Sequence, residues 1–223
     1  KAFSYYLEAL KTSEDFGIKK GKAESLYHIG SIHDLKGNVD NALKYINNAL
    51  GIADEFELSL DKASFLKKLG HIDMMNGNFG DALKKSRDAM KIYEELKYVE
   101  GIILSLNQIG IICVKRGEYK EANDILTKAL EMATKFNHIK GKAEAYQHIG
   151  ELFLALNNQG GAKENIEKAL KIYEKTGHKF DIAECYAVLS QAYGNLGDSV
   201  SKLRYKEKAD EIYKSLGLQN RIK

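Results

Sequence analysis

Residues 141–180 read GKAEAYQHIGELFLALNNQGGAKENIEKALKIYEKTGHKF. Two amphipathic helices are written in this stretch. In the first, Ala143, Tyr146, Ile149 and Leu152 recur along one helical face. In the second, Ala162, Ile166, Ala169, Leu170, Ile172 and Tyr173 do the same. Asn157 falls between them, at a position where the rest of the chain carries glycine. Glycine there permits the left-handed backbone of a tight helix-to-helix turn. The small residues Gly150, Ala162 and Ala169 allow helix backbones to approach closely.

The same pattern is repeated outward in both directions. Cut at residues 21, 61, 101, 141 and 181, the chain falls into five blocks of equal length that align without a gap. Position 10 of the blocks reads Gly30, Gly70, Gly110, Gly150, Ser190, and position 17 reads Gly37, Gly77, Gly117, Asn157, Gly197. Position 22 reads Ala42, Ala82, Ala122, Ala162, Lys202, and position 29 is alanine in every block, from Ala49 to Ala209. Each block predicts a first helix (A) and a second (B), packed antiparallel. The expected fold is all-α, a right-handed α-solenoid of antiparallel helix pairs with about five and a half repeats. The chain contains no proline, which suits uninterrupted helices.

The expected boundaries form one array. Residues 1–20 match the second half of a block, with Ala2, Tyr6, Ala9, Leu10 and Phe16 at the B-helix positions. They read as the B helix of a repeat whose A helix lies upstream. Full repeats follow at 21–60, 61–100, 101–140, 141–180 and 181–220, with a tail at 221–223. The last repeat reads as a cap: the B-helix stripe Ala162, Ile166, Leu170 of the fourth block becomes Lys202, Lys206, Asp210 in the fifth. A polar outer face is what a terminal repeat requires, so the array is expected to end there.

Small residues at Gly30, Ala42 and Ala49 with a turn glycine at Gly37, repeated down the chain, resemble the tetratricopeptide repeat. The period of 40 and block ends such as EKALKIYEKTGHK resemble its long-helix variety. Departures exist. Position 13, usually aromatic, holds His33, Asp73 and Cys113 before Phe153 and Tyr193. The resemblance implies a concave, ligand-facing side lined by the A helices at positions 4, 7, 11, 14 and 15. Transferred here, it nominates Tyr27, Lys67, His71, Met74, Leu104, Asn107, Ile111, Val114, Gln147, Glu151 and Leu154 as the ligand-binding groove. Met75 belongs to the same apolar set. Asn107 and Gln147 could hydrogen-bond an extended peptide backbone through both donor and acceptor. An exposed apolar cluster of this kind usually marks a binding surface.

No catalytic chemistry is written in the chain. His28 and His148 share a position but lie three repeats apart, and His138 and His178 lack the further ligands a metal ion requires. Cys113 and Cys185 sit on apolar stretches and read as small buried hydrophobes. No glycine-rich segment has a phosphate-loop context. The expectation is no enzyme activity, no cofactor and no metal. The charges, 34 basic and 31 acidic, are mixed along the chain with no long block of one sign. That argues against a nucleic-acid or membrane surface. Two cysteines cannot make a disulfide framework, so a cytoplasmic setting is expected. The expected function is a scaffold or adaptor segment that binds a peptide or helix of a partner protein in the groove. The alternative is a sensor array that binds a signalling peptide and controls an attached output domain. Partner identity and oligomeric state are not legible.

Overall fold

The computed structural model describes residues 2–222. Lys1 and Lys223, the outermost residues of the expected array, lie outside the described residues. Eleven α-helices and no strand occur among the described residues: α1 (Ala2–Asp15), α2 (Lys19–Leu35), α3 (Val39–Glu55), α4 (Ser59–Met75), α5 (Phe79–Glu95), α6 (Val99–Arg116), α7 (Tyr119–Lys135), α8 (Ile139–Ala155), α9 (Gln159–Thr176), α10 (Lys179–Asn195) and α11 (Ser199–Ser215). A short 3₁₀ turn, Gln219–Arg221, follows. Even-numbered helices are the A helices of the blocks and odd-numbered ones the B helices. Backbone packing separates two compact units, residues 1–105 and 106–223, with the boundary falling inside α6.

From α2 onward a helix begins at every twentieth residue, from Lys19 to Ser199. The turns explain this beat. Gly17, Gly37, Glu57, Gly77, Lys97, Gly117, Asn137, Asn157, Gly177, Gly197 and Gly217 all have φ between 53° and 81°. After each, the next backbone N–H donates to a carbonyl five residues back, as in Ile18 to Ser13 at 2.8 Å and Asn158 to Phe153 at 2.8 Å. This is the left-handed helix ending that satisfies the last free carbonyls of a helix. The sequence pattern repeats once per helix pair, whereas the backbone repeats once per helix.

In the first unit, Ala23 and Leu26 of α2, Ala42, Ile46, Ala49 and Ala53 of α3, and Phe65, Leu69 and Ile72 of α4 form one buried cluster. In the second, Ala143, Ile166, Ala169, Tyr173, Cys185 and Leu189 do the same across α8, α9 and α10. Close helix crossing depends on bare backbone at position 10. A Cβ placed on Gly150 would come within 2.7 Å of the Ile166 side chain and 3.2 Å of the Ala162 carbonyl. In the fifth repeat Ser190 stands there instead, and its hydroxyl donates to the Lys202 carbonyl at 2.9 Å.

In three blocks position 13 contacts position 25 of the same block. His33 stacks on Tyr45 at 5.5 Å, and Tyr193 on Tyr205 at 5.3 Å. Asp73 instead accepts from the Lys85 ammonium at 2.5 Å. A ring pair and an ion pair thus fill the same A-to-B contact. Cys113 and Cys185 are both buried.

Candidate functional site

The nominated groove residues divide by burial. Tyr27, Lys67, His71 and Met74, on α2 and α4 of the first unit, are half-buried, as is Leu104. Tyr27 is held by stacking on Phe65, with ring centroids 4.9 Å apart. In the second unit Asn107, Ile111, Val114 and Gln147 are only 1%, 4%, 6% and 8% exposed, while Glu151 and Leu154 remain half-buried. The apolar surface expected around Ile111 and Val114 is therefore smaller than the sequence implied. Both residues lie on α6, most of whose side chains around them are buried. Eleven residues of α6 between Gly101 and Val114 are buried, the pattern of a helix covered on nearly every side. Met75, at 49% exposure, does present apolar surface.

What the second unit presents is a polar row on α6 and α8. Asn107 Nδ2 donates to the Gly141 carbonyl at 2.8 Å and reaches Glu144 Oε2 at 3.4 Å. Gln147 Nε2 lies 3.5 Å from Glu151 Oε1, at the limit of a hydrogen bond. Lys115 Nζ lies 3.5 Å from the other Glu151 oxygen, and His148 Nδ1 lies 3.3 Å from Oε1. Burial works to raise the Glu151 carboxyl, but His148 and Lys115 outweigh it and hold it below the ordinary glutamate range. Sequence position had drawn attention to Asn107, Gln147 and Glu151. It had not separated Glu144 and Lys115 from solvated charges, and it gave no signal for Asp181.

Glu144 has a further neighbour. Position 33 is tyrosine in three blocks, and position 4 lies opposite it. Tyr93 Oη and Ser64 Oγ are 3.0 Å apart, and Tyr213 Oη donates to Glu184 Oε1 at 2.6 Å. The same pairing in the fourth block would join Tyr173 to Glu144, yet the buried Tyr173 hydroxyl has no partner. Glu144 is instead drawn to Asn107 and to Lys140, whose Nζ lies 3.8 Å away. Asn107 Oδ1, also buried, is unpartnered as well. Burial raises the Tyr173 hydroxyl, and the charges of Glu144 and Asp181 push it further. Burial likewise raises the Asp181 carboxyl, with Glu144 adding to the shift and Lys140 and His178 opposing it.

Two other features complete the inventory. Cys113 Sγ and the carboxylates of Glu118 and Glu121 place one potential ligand atom each within 4.8 Å of one another. The left-handed turn at Gly117 folds them together, which spacing alone did not show. Glu118 already pairs with Arg116 at 2.8 Å, and three donors fall short of a closed structural zinc site. A cleft of about 500 Å³ opens between α10, α11 and the terminal 3₁₀ turn, floored by Ala187 and Ala209 and rimmed by Glu184, Lys206, Asp210 and Arg221. Among the described residues no helix is long and apolar enough to cross a membrane.

Comparison with known proteins is consistent with this geometry. No curated protein matches the chain. Among solved structures, BtubC (BKLC) from P. vanneervenii is 17% identical, with a TM-score of 0.68 over 97% of this chain and 91% of that one. A Rap protein complexed with Competence and Sporulation Factor is 16% identical, with a TM-score of 0.77 over 89% of this chain. The Rap conjugation gene regulator of plasmid pLS20, in complex with the Phr* peptide, is 17% identical, with a TM-score of 0.76 over 93% of this chain. The chain spans 55% and 56% of those two Rap structures. At this identity the likeness shows the fold, a helical-repeat solenoid. Sequence profiles described as "Tetratricopeptide repeat" match residues 61–135, and again residues 23–56 and 143–176. With those profiles reaching more than half its length, the chain belongs to the tetratricopeptide-repeat family.

Proposed function

We propose that the chain is a protein-interaction module that holds a peptide or helix of a partner in a concave groove lined by its A helices. The observation that carries this reading is the half-dry polar row of the second unit. Gln147 is 8% exposed and the Glu151 side chain 18% exposed, with half-buried Leu154 one turn further along α8. Amide and carboxylate groups in such a setting hydrogen-bond more strongly than in bulk water, and an apolar neighbour gives a partner side chain somewhere to dry. In the first unit Tyr27, Lys67, His71 and Met74 offer a comparable mixture. Tetratricopeptide arrays are interaction scaffolds rather than catalysts, and nothing in the polar row assembles a nucleophile with its base.

A second reading is a sensor, in which peptide binding changes the array and so an attached output domain. It is favoured by the two Rap neighbours, each matched over about half its length and each with a peptide or signalling factor named in its complex. A sensor would contract on binding, measurable by small-angle scattering, whereas a scaffold would keep its dimensions.

The test is a peptide-display selection against the 223-residue chain and against a Leu154→Glu variant of equal helicity by circular dichroism. Peptides enriched by the parent and lost on the variant support the A-helix face. Equal enrichment on both, or none on the parent, overturns it.

A further inference from the structure

We propose that the turn between α6 and α7 holds a divalent metal ion of the zinc class on Cys113 Sγ and the carboxylates of Glu118 and Glu121. The site goes beyond the interaction reading above and does not depend on it.

The case begins with convergence. The segment reads CVKRGEYKE from Cys113 to Glu121. One ligand atom of each of the three residues lies within 4.8 Å of the other two. Around an ion bound at about 2.0–2.3 Å, tetrahedral ligand atoms stand about 3.3–3.8 Å apart, so small side-chain rotations complete the site. The backbone beneath it is already fastened. Gly117 is left-handed with φ of 80°, and the Glu118 N–H donates to the Cys113 carbonyl at 2.9 Å. Cys113 is buried in the last turn of α6, Glu118 is half-buried, and Glu121 is exposed on the first turn of α7. The sulfur therefore anchors the site from within, and the carboxylates open it to solvent.

Helix capping does not account for the two glutamates. In the fourth and fifth blocks the residue at the position of Glu118 caps its helix. Asn158 Oδ1 accepts from the Gly161 N–H at 2.9 Å, and Asp198 Oδ1 from the Ser201 N–H at 3.0 Å. Glu118 makes no such bond to α7. Nor is Glu121 needed to reach back to the Glu118 N–H, which the Cys113 carbonyl already takes. Glu118 Oε1 pairs with Arg116 at 2.8 Å. A carboxylate has a second oxygen, so that pair can orient Glu118 as a ligand. Only the third block combines a thiol with two carboxylates at positions 13, 18 and 21; the fourth has Phe153, Asn158 and Gly161 there.

The donor set selects the ion. A thiolate favours zinc-like metals over magnesium and calcium, which prefer oxygen ligands alone. Three protein ligands leave the fourth tetrahedral position to water, the open form of a zinc site. On binding, the Cys113 S–H bond breaks, its electron pair goes to the metal, and the proton leaves to solvent. Affinity should therefore fall about tenfold for each pH unit of acidification while the thiol is the group that must lose a proton.

The experiment is a titration of the reduced 223-residue chain with cobalt(II), a coloured stand-in for zinc, read by the thiolate-to-cobalt charge-transfer absorption in the near ultraviolet. One equivalent of cobalt should saturate the band, and zinc should bleach it. Glu121→Gln, at an exposed position where folding is not at stake, should weaken cobalt by about tenfold or more. Cys113→Ala should abolish the band. No band with the parent chain, failure of zinc to bleach it, or a band indifferent to Glu121→Gln, as an ion at Cys185 would give, each overturns the proposal. The parent chain and Glu121→Gln decide the matter even where Cys113→Ala folds poorly.

Discussion

The fourth and fifth repeats share one backbone and differ in what holds them. In the fourth, Gly150 lets α8 and α9 touch, and Ile166 and Leu170 pack in one apolar cluster with Cys185 and Leu189 of α10. In the fifth, Ser190 replaces the glycine and ties α10 to the Lys202 carbonyl, while Lys202 and Lys206 face solvent and Asp210 is half-buried. Tyr213 closes on Glu184, whereas the Tyr173 hydroxyl has no partner. One repeat is held by close packing and leaves hydrogen bonds unmade; the other satisfies its polar groups and leaves a charged cleft. The same architecture can therefore be reached by dispersion and apolar burial or by directional polar contacts, and the difference should be visible when each is cut.

The largest contrast is expected at position 26. Ile166→Ala opens a cavity in a fully buried cluster and should cost about 2–5 kcal/mol. Lys206→Ala at the same position of the fifth repeat should change stability by no more than about 0.5 kcal/mol. Urea unfolding followed by circular dichroism reads both, and comparable losses would erase the distinction between the repeats.

Position 10 gives the next contrast. Gly150→Ala gains helix propensity but drives a methyl into Ile166 and the Ala162 carbonyl, for a net loss of about 1–3 kcal/mol. Ser190→Ala removes one hydrogen bond and should cost about 1 kcal/mol. A stabilised Gly150→Ala protein would mean that α8 and α9 can separate at little cost.

The tyrosines sharpen the comparison further. Tyr213→Phe breaks a 2.6 Å bond to a carboxylate that is partly exposed, so about 1 kcal/mol is expected. Tyr173→Phe removes a buried hydroxyl that has no partner and should be neutral or slightly stabilising. Differential thermal melts of the two single variants measure this, and a larger loss from Tyr173→Phe would show that the hydroxyl is satisfied in solution.

The smallest effect is at Asp181, and its sign depends on pH. A carboxyl raised in the folded state binds its proton more tightly there than in the unfolded chain. The protein therefore loses stability as pH rises from the ordinary aspartate range through the raised one. Asp181→Asn abolishes that loss, so its advantage over the parent should be absent in acid and fully present at neutral pH. Chemical denaturation at a series of pH values gives the comparison, and a pH-independent difference would mean that burial and Glu144 do not raise the carboxyl.

Much of this architecture is legible in the sequence, because position-specific alanines and glycines report close helix crossing directly. Ala162, Ala169 and Gly150 say where helices meet before any coordinates exist. Four of the eleven left-handed turns among the described residues are not legible in that way. Glu57 and Lys97 adopt left-handed backbone with φ of 54° and 53°, held by the closing backbone hydrogen bond rather than by their own preference. The groove was partly legible. Residues facing the neighbouring A helix and residues facing solvent share the same helical face, so Ile111 and Leu154 look alike in sequence, yet one is buried and the other half-buried. Asp181 escaped because its character comes from burial and then from Glu144, which sits on another helix with all of α9 between them in the chain.

The mismatch between a backbone that repeats with every helix and a sequence that repeats with every second helix bears on how such a chain can change length. Duplicating or losing a whole helix pair keeps every turn in phase and every small residue opposite its partner. Losing a single helix with its turn also keeps the beat, but it lays an A-type surface where a B-type surface belongs. Gene-level slippage by the shorter unit would yield a smooth string of helices with mispaired faces. The longer unit is thus the only increment by which the array grows or shrinks without a scar.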